Sequence, residues 1–421
     1  MNKKQVSLLR TIFSNKMLIC IFTGLASGLP FYLLIQLLPA WLTSEGLNIK
    51  AIGAFSLTQL PYIFKFVWAP FMDNISLFGM GRRRGWMFLS QIILLFFIAI
   101  LGCFSPTLNI WIIATLCFII ALFSATQDIA LDAFRQEILS DAELGLGNSI
   151  HINVYRLASL VPGSLSLILS HFLPWSSVFM VTALFMLPVI IITLLIKEPI
   201  NKQIPKSHNF EDIIINPFLE FIKRKGVKSA MIILAFIFLY KLGDSMATSL
   251  ATTFYMKMGF SLPDIGLIAK NAQLWPGILG GIMGGILMIK IGINRALWYF
   301  GFVQVFSILG FAWLSIEGPF NDIGVSEKIM LAIVISVESL GVGLGSAAFV
   351  AFIAKTTNPL YTATQFALFS SIASIPRTLI NSTTGIMVEY LGWTNFFGLC
   401  TLLAIPGMVL LLKVAPWNKK S

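Results

Sequence analysis

The chain has 421 residues, 57% of them hydrophobic and only 11% charged, with a mean hydropathy of +0.87. Soluble domains carry about 25% charged residues, so the composition excludes a soluble globular fold; its apolar content suffices for twelve segments of the ~20 residues that cross a bilayer. The net charge of +11 would suggest nucleic acid in a soluble chain, but here it is first read against the tendency of Lys and Arg to collect in cytoplasmic loops.

Residues 1–16 are basic, and the apolar stretch that follows, near 17–42, is too long for a signal-peptide core. Further apolar stretches lie near 51–72, 85–104, 109–134, 149–170 and 176–196. A polar interval from Lys197 to Lys228 separates them from six more, near 229–256, 264–290, 295–316, 328–354, 362–388 and 393–414. The fourth and tenth are long enough to hide a break. The pattern predicts an all-α integral membrane protein of 12 transmembrane helices in two six-helix bundles: residues 1–196, a cytoplasmic linker 197–228, and residues 229–421. With the N-terminus inside, twenty-one of the 29 Lys and Arg fall on the cytoplasmic side, only Lys50, Lys257 and Lys328 fall opposite, and five lie within spans. That bias predicts both termini in the cytoplasm and accounts for the excess charge without nucleic acid.

Gly46-Leu-Asn-Ile-Lys-Ala-Ile-Gly53 follows the first span, and Gly259-Phe-Ser-Leu-Pro-Asp-Ile-Gly266 follows the seventh. A shared pattern at the same point of each half suggests parallel repeats of the major facilitator type, with a binding site between them near mid-membrane. Cys20, Cys103, Cys117 and Cys400 lie in apolar runs without a CxxC pair, and the three histidines form no HExxH. No metal site or zinc enzyme is expected. A membrane enzyme would need a nucleophile or metal constellation at the surface, and the polar interval offers none.

A charge inside a span costs at least ~2.5–3.5 kcal/mol and is usually paired or functional. The carboxylates so placed are Asp128, Asp132, Asp244 and Glu338; the cations are Lys65, Arg156, Lys241, Lys270 and Arg377. Asp128 and Asp132 share one helix face at i and i+4. Two like charges in an apolar setting make either a candidate for taking up a proton, although Asp132 has Arg135 close by as a structural partner. Glu338 is a second proton-site candidate. Lys65 calls for a buried carboxylate such as Asp128. Lys241 and Asp244, at i and i+3, either neutralise each other or form part of a site. Arg156, with Tyr155 beside it, and Arg377 can grip a carboxylate or polar ligand bidentately, or balance an Asp or Glu on a neighbouring helix. Lys270 and Asn271, with Gln273, form a polar patch in the eighth span, read either as a site or as structural. Gly280, Gly281, Gly284 and Gly285 read as a close helix contact.

Between the second and third spans, Asp73 precedes Gly79-Met-Gly81-Arg82-Arg83-Arg84-Gly85. This resembles the D-x-x-G-R-R signature of the major facilitator superfamily, a latch at the cytoplasmic gate. Longer runs carry a closer resemblance: Gly24-Leu-Ala-Ser-Gly-Leu-Pro30, Lys65-Phe-Val-Trp-Ala-Pro-Phe-Met-Asp73, Ser124-Ala-Thr-Gln-Asp-Ile129, Leu239-Tyr-Lys-Leu-Gly-Asp-Ser245, Gly345-Ser-Ala-Ala-Phe-Val-Ala351 and Ala363-Thr-Gln-Phe-Ala-Leu-Phe-Ser-Ser371. Together with Ala404-Ile-Pro-Gly407 in the last span, and in order from the first, they resemble the AmpG-type muropeptide permeases. The resemblance implies proton-coupled import of anhydro-muropeptides across the bacterial inner membrane for cell-wall recycling. The proton gradient would be the driving force, with no cofactor, and a monomer the default unit. It also implies that Gln127 and Asp128 are central to transport and places Lys65, Lys241 and Asp244 inside matching runs. The Gln-Asp-Ile-Ala-x-Asp stretch also resembles acetyl-CoA transporters, which leaves a carrier of another polar solute as the alternative.

Overall fold

Prolines, glycines and buried polar groups interrupt the apolar spans, and the computed structural model places each interruption. It describes residues 14–69, 72, 75–139, 141–198, 216–357 and 362–417. Every regular element among them is helical. In chain order the spans are α1 (Asn15–Ser44), α2 (49–67), α3 (Arg82–Leu101), α4 (Ile110–Ile138), α5 (141–169) and α6 (Trp175–Leu195). They continue as α7 (Val227–Lys257), α8 (262–291), α9 (Ile293–Glu317), α10 (Val325–Thr356), α11 (362–391) and α12 (393–414). Nine stretches among the described residues are long and apolar enough to cross a membrane by themselves. The last of these holds both α11 and α12, which part at Gly392, where φ is 73°. Only glycine takes that conformation without strain.

The two longest uninterrupted helices are α4 and α10, so the room for a break in each goes unused. The breaks lie elsewhere. Single wide turns of π type interrupt α1 at Leu33–Leu37, α5 at Val161–Leu165, α8 at Ile265–Ala269 and α11 at Pro376–Ile380. Those in α5 and α11 carry a proline at their start, Pro162 and Pro376, which cannot donate to the helical ladder. Such turns cluster at functional positions in helices generally. α7 stops at Leu239, passes through Tyr240 and Lys241, and restarts at Leu242.

By its contacts the chain forms two units: Met1–Gly46 with Thr58–Ile204, and Leu47–Leu57 with Pro205–Ser421. In the first, Gly24 and Gly28 bring α1 hard against α5. A methyl group on either would strike the backbone carbonyl of His151 or Tyr155. Ala26, Met87, Leu131, Phe134 and Val189 build the core beside this contact. In the second unit α8 and α10 approach through Gly280 and Gly343, where added methyl groups would meet the carbonyls of Leu340 and Gly277. Gly285 faces open space, so only part of the glycine run serves that contact.

Also within the second unit, the first turn of α2 lies on α11. Gly53 packs on Gly385, and Lys50 pairs with Glu389 at 3.0 Å. Part of the polar interval is itself helical. Asn216–Lys225 buries Phe221 against Phe369, with ring centroids 4.9 Å apart. Glu220 accepts from Gln365 at 2.7 Å, and Arg224 donates to the Thr356 carbonyl at 3.0 Å.

Candidate functional site

The intramembrane charges gather into separate polar centres within each unit. In the first unit, Ser27 on α1 donates to Asp128 Oδ1 on α4 at 2.6 Å. Lys65, at the end of α2, lies close enough to act on this carboxylate electrostatically. It makes no direct ion pair among the described residues, so the expected partnership is one through space. One turn beyond Ser27 on α1, an aromatic cluster begins. Phe31 and Tyr32 meet Tyr155 of α5, at centroid distances of 5.8 and 5.3 Å, and Phe31 meets Tyr62 of α2 at 5.6 Å. Tyr155 thus stands in an aromatic group near Asp128, and Arg156 follows it, half-buried, before the α5 break.

Gln127 has a different local role from its neighbour. Pro30 has no N–H, so the Ala26 carbonyl four residues back loses its helical donor. The Gln127 amide donates to that carbonyl at 2.7 Å and ties α4 to α1. In a bilayer no water can replace such a donor. Asp132 is bound at 2.8 Å by Arg135, which also holds Asn148 at 2.8 Å. It is therefore the structurally partnered member of the i, i+4 pair.

Asp73 lies outside the described residues. Its neighbours in the arginine loop form a lock on the α3 N-terminus. Glu198, just past α6, accepts the backbone N–H groups of Arg83 and Arg84 at 2.9 and 3.1 Å. A carboxylate there satisfies donors that have no helical acceptor and opposes the positive helix end. Gly81, with φ 98°, leaves the space that Glu198 fills. The Arg83 side chain pairs with Glu137 at 2.9 Å, and Arg84 donates to the carbonyls of Thr193 and Leu194. Arg82 opens the same helix. Nothing in the pattern of apolar spans marks Glu198 or Glu137 as the partners.

In the second unit, the break in α7 carries Lys241, whose ammonium lies 3.5 Å from Asp244. Asp244 comes within hydrogen-bonding reach of Glu338, which is only 3% exposed in the middle of α10. Ser339 donates to Glu338 Oε2 at 3.1 Å. These three charges, singled out separately in the sequence, form one centre. Beside it, Asp244, Tyr240 and Gln304 line a cavity of about 10 Å³. Gln304 was missed, although it is the one amide beyond the first turn of α9, where Asn294 lies.

Lys270 is also buried and donates to Thr252 at 3.0 Å. Asn271, next in sequence, points elsewhere: it donates to the Leu267 carbonyl and accepts from Trp275 on the more exposed side of α8. The two do not form one patch. Arg377 sits half-buried in the π turn of α11.

The Major Facilitator Superfamily profile matches residues 20–379. An uncharacterised Haemophilus influenzae protein is 50% identical over 99% of this chain and 98% of its own. The anhydromuropeptide permease of Escherichia coli K12 is 38% identical over 96% of this chain and 80% of the permease. A Rickettsia felis protein that carries the name AmpG 4 is 30% identical over 98% of this chain and 99% of its own. Among solved structures, the nucleoside transporter NupG superposes with a TM-score of 0.70 at 14% identity, covering 97% of this chain and 100% of that one. A POT family transporter superposes at 0.68, also with 14% identity, covering 96% of each. These structural likenesses speak to the fold, and the closer sequence relatives to the family. With a family profile across most of its length and named permeases among its relatives, the chain belongs to the major facilitator superfamily and, within it, to the AmpG-type permeases: a multi-pass membrane transporter and not an enzyme.

Proposed function

We propose that the protein imports anhydro-muropeptides, GlcNAc-anhydroMurNAc with or without a stem peptide, across the bacterial inner membrane for cell-wall recycling. The observation that carries this reading is the 38% identity to the E. coli anhydromuropeptide permease along nearly the whole chain. Two six-helix halves alternate access, a single chain is the working unit, and both termini lie in the cytoplasm. The proton gradient drives uptake.

The polar centres divide the work in this reading. Asp128, hydrogen-bonded to Ser27 and near Lys65 and the Phe31–Tyr155 aromatics, is placed to meet a sugar that presents hydroxyls at its rim and C–H faces in its plane. Aromatic rings cover such faces, and a carboxylate accepts from hydroxyls. Arg156, Lys270 and Arg377 supply cations for the carboxylates of the muramyl lactyl group and stem peptide.

The test is uptake of labelled anhydro-disaccharide into liposomes holding the purified protein. Uptake should require an inwardly directed proton gradient and be competed by unlabelled muropeptide but not by acetyl-CoA. Asp128→Asn should lower it at least about tenfold, since a hydrogen bond to a charged group contributes ~1.5–3 kcal/mol. Absence of uptake by the native protein, or competition by acetyl-CoA alone, overturns the substrate. Uptake undiminished without the gradient overturns the coupling.

A further inference from the structure

The charges of the Lys241–Asp244–Glu338 centre do not balance. Lys241 is one cation facing two buried carboxyl groups, Asp244 and Glu338. The hydrogen bonds are incomplete as well. Among the described residues no donor reaches Glu338 Oε1 or Asp244 Oδ1, although both atoms are buried and the two carboxyl groups lie side by side. One proton repairs both faults: it neutralises the surplus charge and gives two facing oxygens a hydrogen bond.

The surroundings are built for such a group. Glu338 shares a face of α10 with Gly341 and Gly345, three and seven residues on. That face receives α9: a methyl group at Gly345 would collide with Gln304 Oε1, and Gly341 lies against the Gln304 backbone and Ser307. Gln304 is 3% exposed, and neither atom of its amide has a hydrogen-bond partner among the described residues. It lines the cavity that Asp244 also lines, whose volume of about 10 Å³ is near the size of one water. Among the described residues, titratable groups facing this centre include Tyr255 beside Glu338, and Tyr240 and Cys400 beside Asp244; Arg377 lies in the α11 turn that packs on this stretch of α7. Lys270, also on a helix packed against α10, is turned to Thr252.

We infer that Asp244 and Glu338 form a single proton-binding site, one proton shared between their facing oxygens, with Lys241 as counter-charge and the Gln304 cavity as its water port. Asp244 is thereby a half of the proton site and not a substrate ligand. Binding moves one proton from water onto a carboxylate oxygen, and release returns it by way of the cavity. That this proton drives uptake rests on the function proposed above; that it is bound does not.

The experiment is infrared spectroscopy of the purified protein in lipid at neutral pH, reading the C=O stretch of protonated carboxyl groups. Native protein should show a band that shifts in heavy water. Glu338→Gln should abolish it, and so should Asp244→Asn, because either remaining carboxylate then pairs with Lys241. The double variant should remove nothing more. A band that survives both single changes, two bands lost one per variant, or a band displaced by sodium at constant pH would each overturn the shared-proton site. If those variants fail to fold, Asp128→Asn protein should keep the native band with its isotope shift; loss of the band in Asp128→Asn would assign the proton there and overturn the shared site. In liposomes, uphill accumulation by either variant should fall about tenfold or more, within the usual range of coupling free energies. If the native protein accumulates no anhydro-disaccharide, the proposed function falls while the infrared result stands.

Discussion

Pro30 and Gln127 lie in different helices, and each explains the other. The proline strips the Ala26 carbonyl of its helical donor, and the Gln127 amide replaces it at 2.7 Å. Gln127→Leu should therefore lower stability by about 1–3 kcal/mol, the cost of a buried acceptor left unmet. Pro30→Ala restores the missing N–H, so the double variant should be more stable than Gln127→Leu alone. Thermal unfolding of the four proteins in detergent reads this cycle; a double variant no better than the single would refute the clamp. Lys270 obeys the opposite logic. It is a buried cation whose hydrogen bond goes to a neutral hydroxyl, and removing such a charge in favour of an apolar side chain is often stabilising. Lys270→Met should leave the unfolding temperature unchanged or raise it while lowering uptake at least about tenfold, the loss expected of a charged hydrogen bond to substrate. A fall in stability with normal uptake would make the lysine structural. Gln127 entered through the family resemblance, whereas the cost of burying charge made Lys270, Asp128 and Glu338 visible in the sequence. Their partners were not, because Ser27, Thr252 and Gln304 are ordinary polar residues until packing surrounds them.

At the scale of the helix, the spans were legible and their interruptions largely were not. Apolar length alone locates α3, α4, α6, α9 and α10, since a helix that crosses a bilayer must satisfy its backbone internally and stay apolar for ~20 residues. The break in α7 falls at Tyr240-Lys241, neither of which interrupts a helix by itself. It exists because the Lys241–Asp244–Glu338 centre and the packing of Gly243 on the Cys400 carbonyl hold it open. No local window contains those partners. Glycine pairs occupy a middle ground: their spacing in α8 signals a close contact, and the structure supplies its other half in Gly343 of α10. Gly343→Leu should cost about 1–3 kcal/mol by forcing the helices apart, whereas Gly285→Leu, which meets open space, should cost little. Unfolding temperatures of the two variants give the comparison, and equal losses would show that the α8–α10 approach is not set by Gly343.

For the whole molecule the outer surface and its orientation are two separate questions. Large apolar side chains such as Phe306, Ile316 and Leu195 stand exposed along the spans, as a surface meeting lipid requires and one meeting water does not tolerate. That surface fixes the depth of the protein but has no sign: turned over, it would fit the bilayer equally well. The sign comes from the loops, where basic residues gather on one side. The chain carries its own probe of that sign. Of its four cysteines, Cys20, Cys117 and Cys400 are buried and only Cys103 is exposed, in the turn between α3 and α4. With the N-terminus inside, that turn is the second to reach the outer face, opposite the Arg82–Arg84 loop. A maleimide unable to cross membranes should therefore label native protein in right-side-out spheroplasts and not in inverted vesicles, and Cys103→Ser should abolish the labelling. Labelling confined to inverted vesicles would reverse the topology, and with it the cytoplasmic placement expected of the Arg82–Arg84 loop. The loop charges argue against that outcome, because reversal would leave twenty-one cations on the side that normally holds the fewest.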